Sequence, residues 1–321
     1  MPSIVAGSPT PRGARLGAAS VKEPAPRDTR QRKSDVTGQG QAGDAFPPAS
    51  SAPALMNYSE QWSTSWKTKR KLIETMSELT DRKALVTGGS RGIGAAVAIA
   101  LAEQGADVAI TYLHSTNEAA QVVKQIETTG RRGLAIQADA ADAQAVAAAV
   151  DRAANELGGL DILVNNAGVG AVGLLADVPI ADLDRVLAVN VRAPYVAAQA
   201  AAAQLPDGGR MIHIGSCIAA RNAGPGMTLY AMSKSALIGL NKGLARDLGA
   251  RGITSNVIQP GPIDTDMNPA DGPMAAPQRT MLALDRFGTV ADVAAAVVYL
   301  AGPGGAYVTG TELTVDGGHT A

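Results

Sequence analysis

The stretch ALVTGGSRGIGAAVA, Ala84 to Ala98, decides the fold. An apolar run ends at Thr87, Gly88, Gly92 and Gly94 follow, and small apolar residues then recur with a helical period. At a strand-to-helix junction, glycines let the backbone turn tightly and approach a pyrophosphate, which then sits on the partly positive helix N-terminus. Glycine turns are common, so the string gains weight only from its place at the first βαβ unit. Its spacing, T-G-x-x-x-G-x-G, also differs from the G-x-G-x-x-G of the usual dinucleotide fingerprint.

Outward from this loop, short apolar runs recur: KALVTG, DVAITY, GLAIQAD, LDILVNN, RMIHIGS, ITSNVIQ and ELTVDGG. Between them lie longer helical segments such as IGAAVAIALAEQG and AQAVAAAVDRAANELGG. Strands alternating with helices of that length build a parallel sheet covered on both faces. The expected architecture is α/β: a single Rossmann-type doubly wound domain over residues 81–321, with a seven-stranded parallel sheet. Residues 1–80 read differently, being rich in Pro, Ser, Gly, Gln and mixed charge without sustained period. Such a segment buries too little apolar surface to offset its ordering entropy. It is expected to be a disordered extension or a mis-assigned start, with Met76 as the true beginning. No apolar core of a secretory signal follows the first basic residues, and Glu23, Asp28, Asp35 and Asp44 argue against a transit peptide.

Bulk properties exclude several classes. A net charge of −1 leaves no electrostatic footprint for nucleic acid or an anionic membrane surface, and 3% aromatics leave few stacking platforms. No apolar run reaches bilayer-spanning length. The single cysteine, Cys217, forms no intramolecular disulfide and points to a reducing compartment, the cytoplasm. Three scattered histidines and one cysteine give no metal-ligand spacing, so no metal is expected.

In LYAMSKSA, Tyr230 and Lys234 stand four positions apart, one turn along one helix face. Alone, such a pair reads as a solvated helix face. The series around it is more telling: TGGSRGIG (Thr87–Gly94), NNAG (Asn165–Gly168), Asn190 in LAVNVRAP and Ser216 in IHIGSC. Tyr230 and Lys234 in YAMSK, PGPIDT (Pro260–Thr265) and the closing VDGG complete it. In this order and spacing the chain from about Asp81 to Ala321 resembles the short-chain dehydrogenase/reductase family over its whole length. The resemblance implies that Gly88, Ser90, Arg91, Gly92, Ile93, Gly94, Pro260 and Gly261 belong to the cofactor site, with Tyr230 and Lys234 sharing in it. It implies that Asp139 faces the adenine amino group, that Asn166 and Gly168 meet the adenosine ribose, and that Ile263 and Thr265 touch the nicotinamide amide. For Asp139 a helix N-cap is the competing role.

After the second strand an acidic residue would bind the ribose hydroxyls of NAD and repel the extra phosphate of NADP. Tyr112, Leu113, His114 and Ser115 stand there, none of them acidic. Arg91 is either a solvated loop arginine or a guanidinium for a dianionic phosphate. In similar NADP-dependent members a basic residue at Arg91 and polar residues at His114 and Ser115 hold the 2′-phosphate, so the expected cofactor is NADP (NADPH).

A hydride passing to a carbonyl leaves charge on oxygen, which calls for a proton and aimed hydrogen bonds. A phenol of ordinary pKa ~10 must be drawn toward neutrality, and a lysine one turn away favours the phenolate. Tyr230 is therefore expected as general acid/base and Lys234 as its tuning charge. The resemblance adds Ser216, at the end of the fifth strand, as hydrogen-bond donor to the carbonyl. It adds Asn190, on the preceding long helix, as anchor of a water chain leading to Lys234. His213 reads as a satisfied core or cleft histidine, Cys217 as a packing residue on the opposite side of its strand, and Asp264 and Asp266 as groups that cap or solvate the following segment.

Pro262 to Asp285 lies where the family carries a variable lid, and it holds no Arg or Lys before Arg279. That points to a small or neutral carbonyl substrate of ketone or 3-oxoacyl type. The general resemblance is to 3-oxoacyl-(acyl-carrier-protein) reductases, while VIQPGPIDTDMNPADGPM is closer to a subgroup containing a cyclic-di-GMP-binding biofilm-dispersal mediator. A nucleotide-sensing regulatory protein on the same fold is thus the second reading, and a retired scaffold the third. The set Asn190, Ser216, Tyr230 and Lys234 argues for catalysis. Helices expected over Ala181–Gln204 and Tyr230–Gly249 carry small residues on more than one face. In similar proteins these helices pair subunits, so a homo-oligomer, dimer or tetramer, is expected.

Overall fold

The computed structural model describes residues 78–222 and 224–321. Seven parallel strands form one sheet: β1 (Lys83–Val86), β2 (Asp107–Tyr112), β3 (Gly133–Gln137), β4 (Ile162–Asn165), β5 (Arg210–Ile214), β6 (Thr254–Pro260) and β7 (Glu312–Val315). Their order is β3-β2-β1-β4-β5-β6-β7, so the winding reverses between β1 and β4. Ligands of doubly wound sheets bind outside the carboxyl ends of strands at such a reversal. Val86 pairs with Val164 on one side and Ile110 on the other, which places the glycine loop and the NNAG stretch side by side.

Strand side chains alternate between two apolar layers. Ala84, Val86, Val108, Ile110, Ile162 and Val164 face α1 (Gly92–Glu103), α2 (Thr116–Thr128) and a C-terminal helix over Val290–Ala301. Leu85, Ala109, Leu163 and Met211 face the other way, against α3 (Ala143–Leu157) and Ala193, Ala197, Ala198 and Ala201. Caps follow side-chain chemistry. The Asp142 carboxylate accepts from the Gln144 and Ala145 N–H groups at the start of α3, and Thr289 forms a capping box with Asp292 on the C-terminal helix.

The helix expected over Ala181–Gln204 is interrupted. It comprises α4 (Ile180–Leu187), a π-helical segment (Ala188–Arg192) and α5 (Ala193–Gln204). The helix expected from Tyr230 begins two residues earlier, as α6 (Thr228–Asp247). A short α7 (Ala275–Arg279) lies in the segment after β6, and α8 is the C-terminal Val290–Ala301. The expected N-terminal extension falls outside the described residues except at 78–80. There Leu79 is buried and bonded through its N–H to the Gln104 carbonyl, so the described body begins before residue 81. No helix of the described residues is long and apolar enough to cross a membrane.

Candidate active site

At the carboxyl end of β1, Gly88 adopts φ +63°, and a Cβ there would stand 2.9 Å from Ala167 Cα. A Cβ on Gly94 would run into the Gly88 carbonyl and the Asn166 side chain. Asn166 explains that closeness: its Nδ2 donates to the Thr87 and Gly88 carbonyls, both at 2.9 Å, and its N–H donates to Thr87 Oγ1. Asn166, expected only as a ribose contact, therefore also ties β4 to the glycine loop. Gly92 has φ +55°, and a Cβ on it would point across the crevice to Thr265 Cγ2 at 3.7 Å. Ser90 and Ile93 are half-buried beside it. No side chain caps the start of α1, because Arg91 at that position has a guanidinium with donors only and no oxygen to accept from the first N–H groups.

The other end of the loop departs from expectation. Arg91 Nη1 lies 3.8 Å from Asp266 Oδ2, both side chains largely exposed. Asp266 thus faces the glycine loop rather than only solvating its own segment, whereas Asp264 does cap, accepting from Ala270 N–H. His114 is exposed and Ser115 half-buried, immediately before α2. Asp139 accepts from the Ala141 N–H two residues on, and the helix N-cap considered for it belongs to Asp142. Pro260 ends β6, Gly261 packs on Asp316, Ile263 is buried, and Thr265 Oγ1 turns back to the Ile263 carbonyl.

Asn190, Lys234 and Gly168 converge. A Cβ on Gly168 would be 3.4 Å from Lys234 Nζ and 3.5 Å from Asn190 Oδ1. Asn190 sits in the π segment rather than on a regular helix. Its Oδ1 accepts from Val169 N–H, and its Nδ2 donates to the Val169 carbonyl and to Ser233 Oγ. Such local π geometry often marks functional sites. Lys234 is buried, donates to the Ile214 carbonyl at 2.9 Å and stands 5.7 Å from the centre of the Tyr230 ring.

Electrostatically, burial dominates this pair. Desolvation pushes the Tyr230 phenol up to about 12, against the opposing hydrogen bond of Ser216. Desolvation likewise pushes the Lys234 ammonium down to about 8. Burial therefore sets the direction of the shift at Tyr230, and it favours the protonated phenol.

Ser216 lies just past the end of β5, where its Oγ accepts from Ile218 N–H and opens the 3-10 turn Cys217–Ala219. Cys217 consequently sits in that turn, not on a strand. It is buried with Sγ 3.7 Å from His319 Nδ1, and burial pushes its thiol up to about 11. His213 is a satisfied core residue. Its Nδ1 faces Asn165 Nδ2 at 3.1 Å, its Nε2 faces Ser255 Oγ at 3.2 Å, and burial pushes it down to about 4. Because Asn165 Nδ2 also donates to the Pro194 carbonyl, which fixes the amide's orientation, it can only donate to Nδ1, and the neutral ring carries its proton on Nε2.

Beside Gly168 opens a cleft of about 680 Å³ lined by Val169, Ala171, Val172, Val178 and Met267, with Arg91, Asp177, Asp182 and Arg185. Arg185 of α4 went unremarked in the sequence because it lies far along the chain from the lid. No cluster of metal-ligating side chains occurs among the described residues.

A glycine loop at the reversal of a parallel sheet defines a dinucleotide-binding α/β protein. Residues 88–320 match the family described as enoyl-(acyl carrier protein) reductase. A cyclic-di-GMP-binding biofilm dispersal mediator protein of Escherichia coli (strain K12) is 45% identical over 242 residues, 75% of this chain and 98% of that protein. A 3-oxoacyl-(acyl-carrier-protein) reductase of Staphylococcus aureus (strain Mu50) is 38% identical over 240 residues, 74% of this chain and 97% of that protein. The crystal structure of a short-chain dehydrogenase from Burkholderia cenocepacia J2315 in complex with NADP is 57% identical, with a TM-score of 0.75, covering 76% of this chain and 100% of that one. The chain belongs to the short-chain dehydrogenase/reductase family.

Proposed function

We propose that the protein is an NADP(H)-dependent oxidoreductase that reduces a carbonyl to an alcohol, with Tyr230 as proton donor. The observation that carries this reading is the convergence of Asn190 and Lys234 on Gly168 at the mouth of the glycine loop, with Tyr230 one turn before Lys234. The residues fit a dinucleotide. The loop backbone is packed closely at Gly88 and Gly94, and a Cβ on Gly92 would come no nearer than van der Waals contact with Thr265. Lys234 uses one of its three donors on Ile214, and the other two are available to a ribose.

In this reading Gly88, Ser90, Gly92, Ile93 and Gly94 hold the pyrophosphate, and Arg91, His114 and Ser115 hold the 2′-phosphate. Asp139, Asn166 and Gly168 hold the adenosine, and Pro260, Gly261, Ile263 and Thr265 hold the nicotinamide end. When bound, the reduced cofactor supplies the hydride. The chain supplies the rest: Ser216 donates a hydrogen bond to the carbonyl oxygen, and Tyr230 gives it a proton. A phenol held near 12 is in the correct protonation state for that donation at neutral pH. As the phenolate forms, the Lys234 ammonium beside it supplies the compensating charge. Asn190, fixed by Val169 and Ser233, anchors the water chain that returns the proton to Lys234.

The test is NADPH and NADH consumption over a panel of ketones, quinones and 3-oxoacyl thioesters. Tyr230→Phe should lower kcat at least about a hundredfold with NADPH affinity unchanged; full activity in that variant would overturn the mechanism. The resemblance to the Escherichia coli protein supports one competing function, a cyclic-di-GMP sensor. Tight cyclic-di-GMP binding with no turnover on the panel would favour it. We further propose a cytoplasmic homo-oligomer assembled through α5 and α6, whose Tyr195 and Met232 are exposed by 57% and 48%. A monomer by light scattering would contradict that.

A further inference from the structure

The β5–β6 ladder runs one residue past β5, where Gly215 N–H still bonds the Ile258 carbonyl at 2.8 Å. Beyond it the chain turns away from the sheet, and the next N–H, that of Ser216, meets a side chain instead: Gln259 Oε1 accepts from it at 2.7 Å. Gln259 is 2% exposed, and its Nε2 donates to Glu312 Oε2 on β7 at 3.2 Å. Glu312 is in turn 3.4 Å from Lys242 Nζ on α6. Both partners fix the amide orientation, since an N–H needs the oxygen and a carboxylate needs the nitrogen. Gly215 leaves room for this arrangement, because a Cβ there would land on Gln259 Oε1.

We propose that Gln259 is a positioning residue for the reaction, extending the sheet ladder by one rung so that the Ser216 hydroxyl is held at its working place. The proposal rests on the reading of Ser216 as the group that orients the carbonyl. Ser216 sits at φ −167°, ψ 145°, extended, and its N–H, past the last rung of the sheet and turned inward, needs a protein partner in place of water. Gln259 supplies that bond from a strand packed on both sides, and Glu312 stops the amide from rotating. A small misplacement of a reacting partner is enough to cost one to two orders of magnitude in rate.

The experiment measures kcat, KM and NADPH Kd, with melting temperature and amide exchange at Ser216, in Gln259→Met, Gly215→Ala, Ser216→Ala and the pair Gln259→Glu with Glu312→Gln. Gln259→Met should lower kcat about tenfold and speed Ser216 exchange, with NADPH Kd within about twofold. Gly215→Ala should do the same by pushing the amide aside, which keeps the idea testable if Gln259→Met folds poorly. The double variant reverses the donor and acceptor between positions 259 and 312, and should recover kcat to within about threefold of wild type. Native kcat in Gln259→Met or Gly215→Ala would overturn the proposal, as would a loss that tracks melting temperature and is not recovered by the double variant. Full activity in Ser216→Ala would instead break the underlying reading of Ser216, and the inference with it.

Discussion

On the glycine-loop wall of the crevice there is no room for a side chain at Gly94: a Cβ there would meet the Gly88 carbonyl, and Asn166 bonds two loop carbonyls. On the facing wall, Val172 is 80% exposed and Met267 65%. The first wall is held by backbone contacts that the fold itself needs, so a ligand there meets a surface that cannot yield. The second carries apolar side chains that contribute little to the core, and an exposed cluster of this kind is available to a ligand. The contrast separates a site for one invariant molecule from a site whose occupant is set by a few replaceable side chains.

Gly94→Ala probes the first wall hardest. It should cost about 1–3 kcal/mol of stability by overpacking and weaken NADPH binding more than tenfold, about 1.4 kcal/mol. Urea melts and fluorescence titration check both, and a variant that binds NADPH normally would show the loop to be pliable.

The charge between the walls comes next. The folded Lys234 value of about 8 lies below the ordinary 10.5 because burial disfavours the ammonium. The charge is therefore present below pH 8 and lost above it. Reductive kcat should fall about tenfold per unit as pH rises past about 8. A profile flat to pH 10 would remove Lys234 from the proton path.

Arg91→Ala tests whether the exposed loop arginine leaves Asp266 for a phosphate. Loss of a charge-assisted hydrogen bond should weaken NADPH about tenfold and leave NADH binding unchanged. Equal effects on the two cofactors would return Arg91 to a solvated role. The smallest effect belongs to the second wall: Val172→Ser with Met267→Ser should shift melting temperature by no more than about 2 °C while changing KM for an apolar ketone about twofold to fivefold. A large stability loss would mean that this wall is core after all.

Much of this was legible in the residues. The alternation of apolar runs and helical periods predicts the seven strands, and the family resemblance carried by the order of motifs implies that Asn190, Ser216, Tyr230 and Lys234 share one site. Periodicity does not report what depends on distant partners. The break in the helix around Asn190 is held by Val169 and Ser233, 21 and 43 positions away. Gln259 reads as one more residue of an apolar strand until Ser216, 43 positions earlier, is brought against it. The balance of burial and charge at Tyr230 is hidden from the sequence for a similar reason. Spacing shows the lysine one turn away, but how much water the fold removes from both groups is a property of the packed site.

The π segment has a consequence best put as arithmetic. Ala193 N–H bonds the Ala188 carbonyl, five residues back rather than the four of an α-helix. The run from Ile180 to Gln204 thus contains one residue more than a regular ladder accommodates, and each residue of an α-helix advances the face by about 100°. Deleting any single residue between 188 and 192 would let α4 and α5 join smoothly. It would also close the wide turn that carries Asn190 toward Val169 and Ser233. Asn190 reaches Val169 and Ser233 because of a count, and its chemistry is written in the length of the chain as much as in its letter.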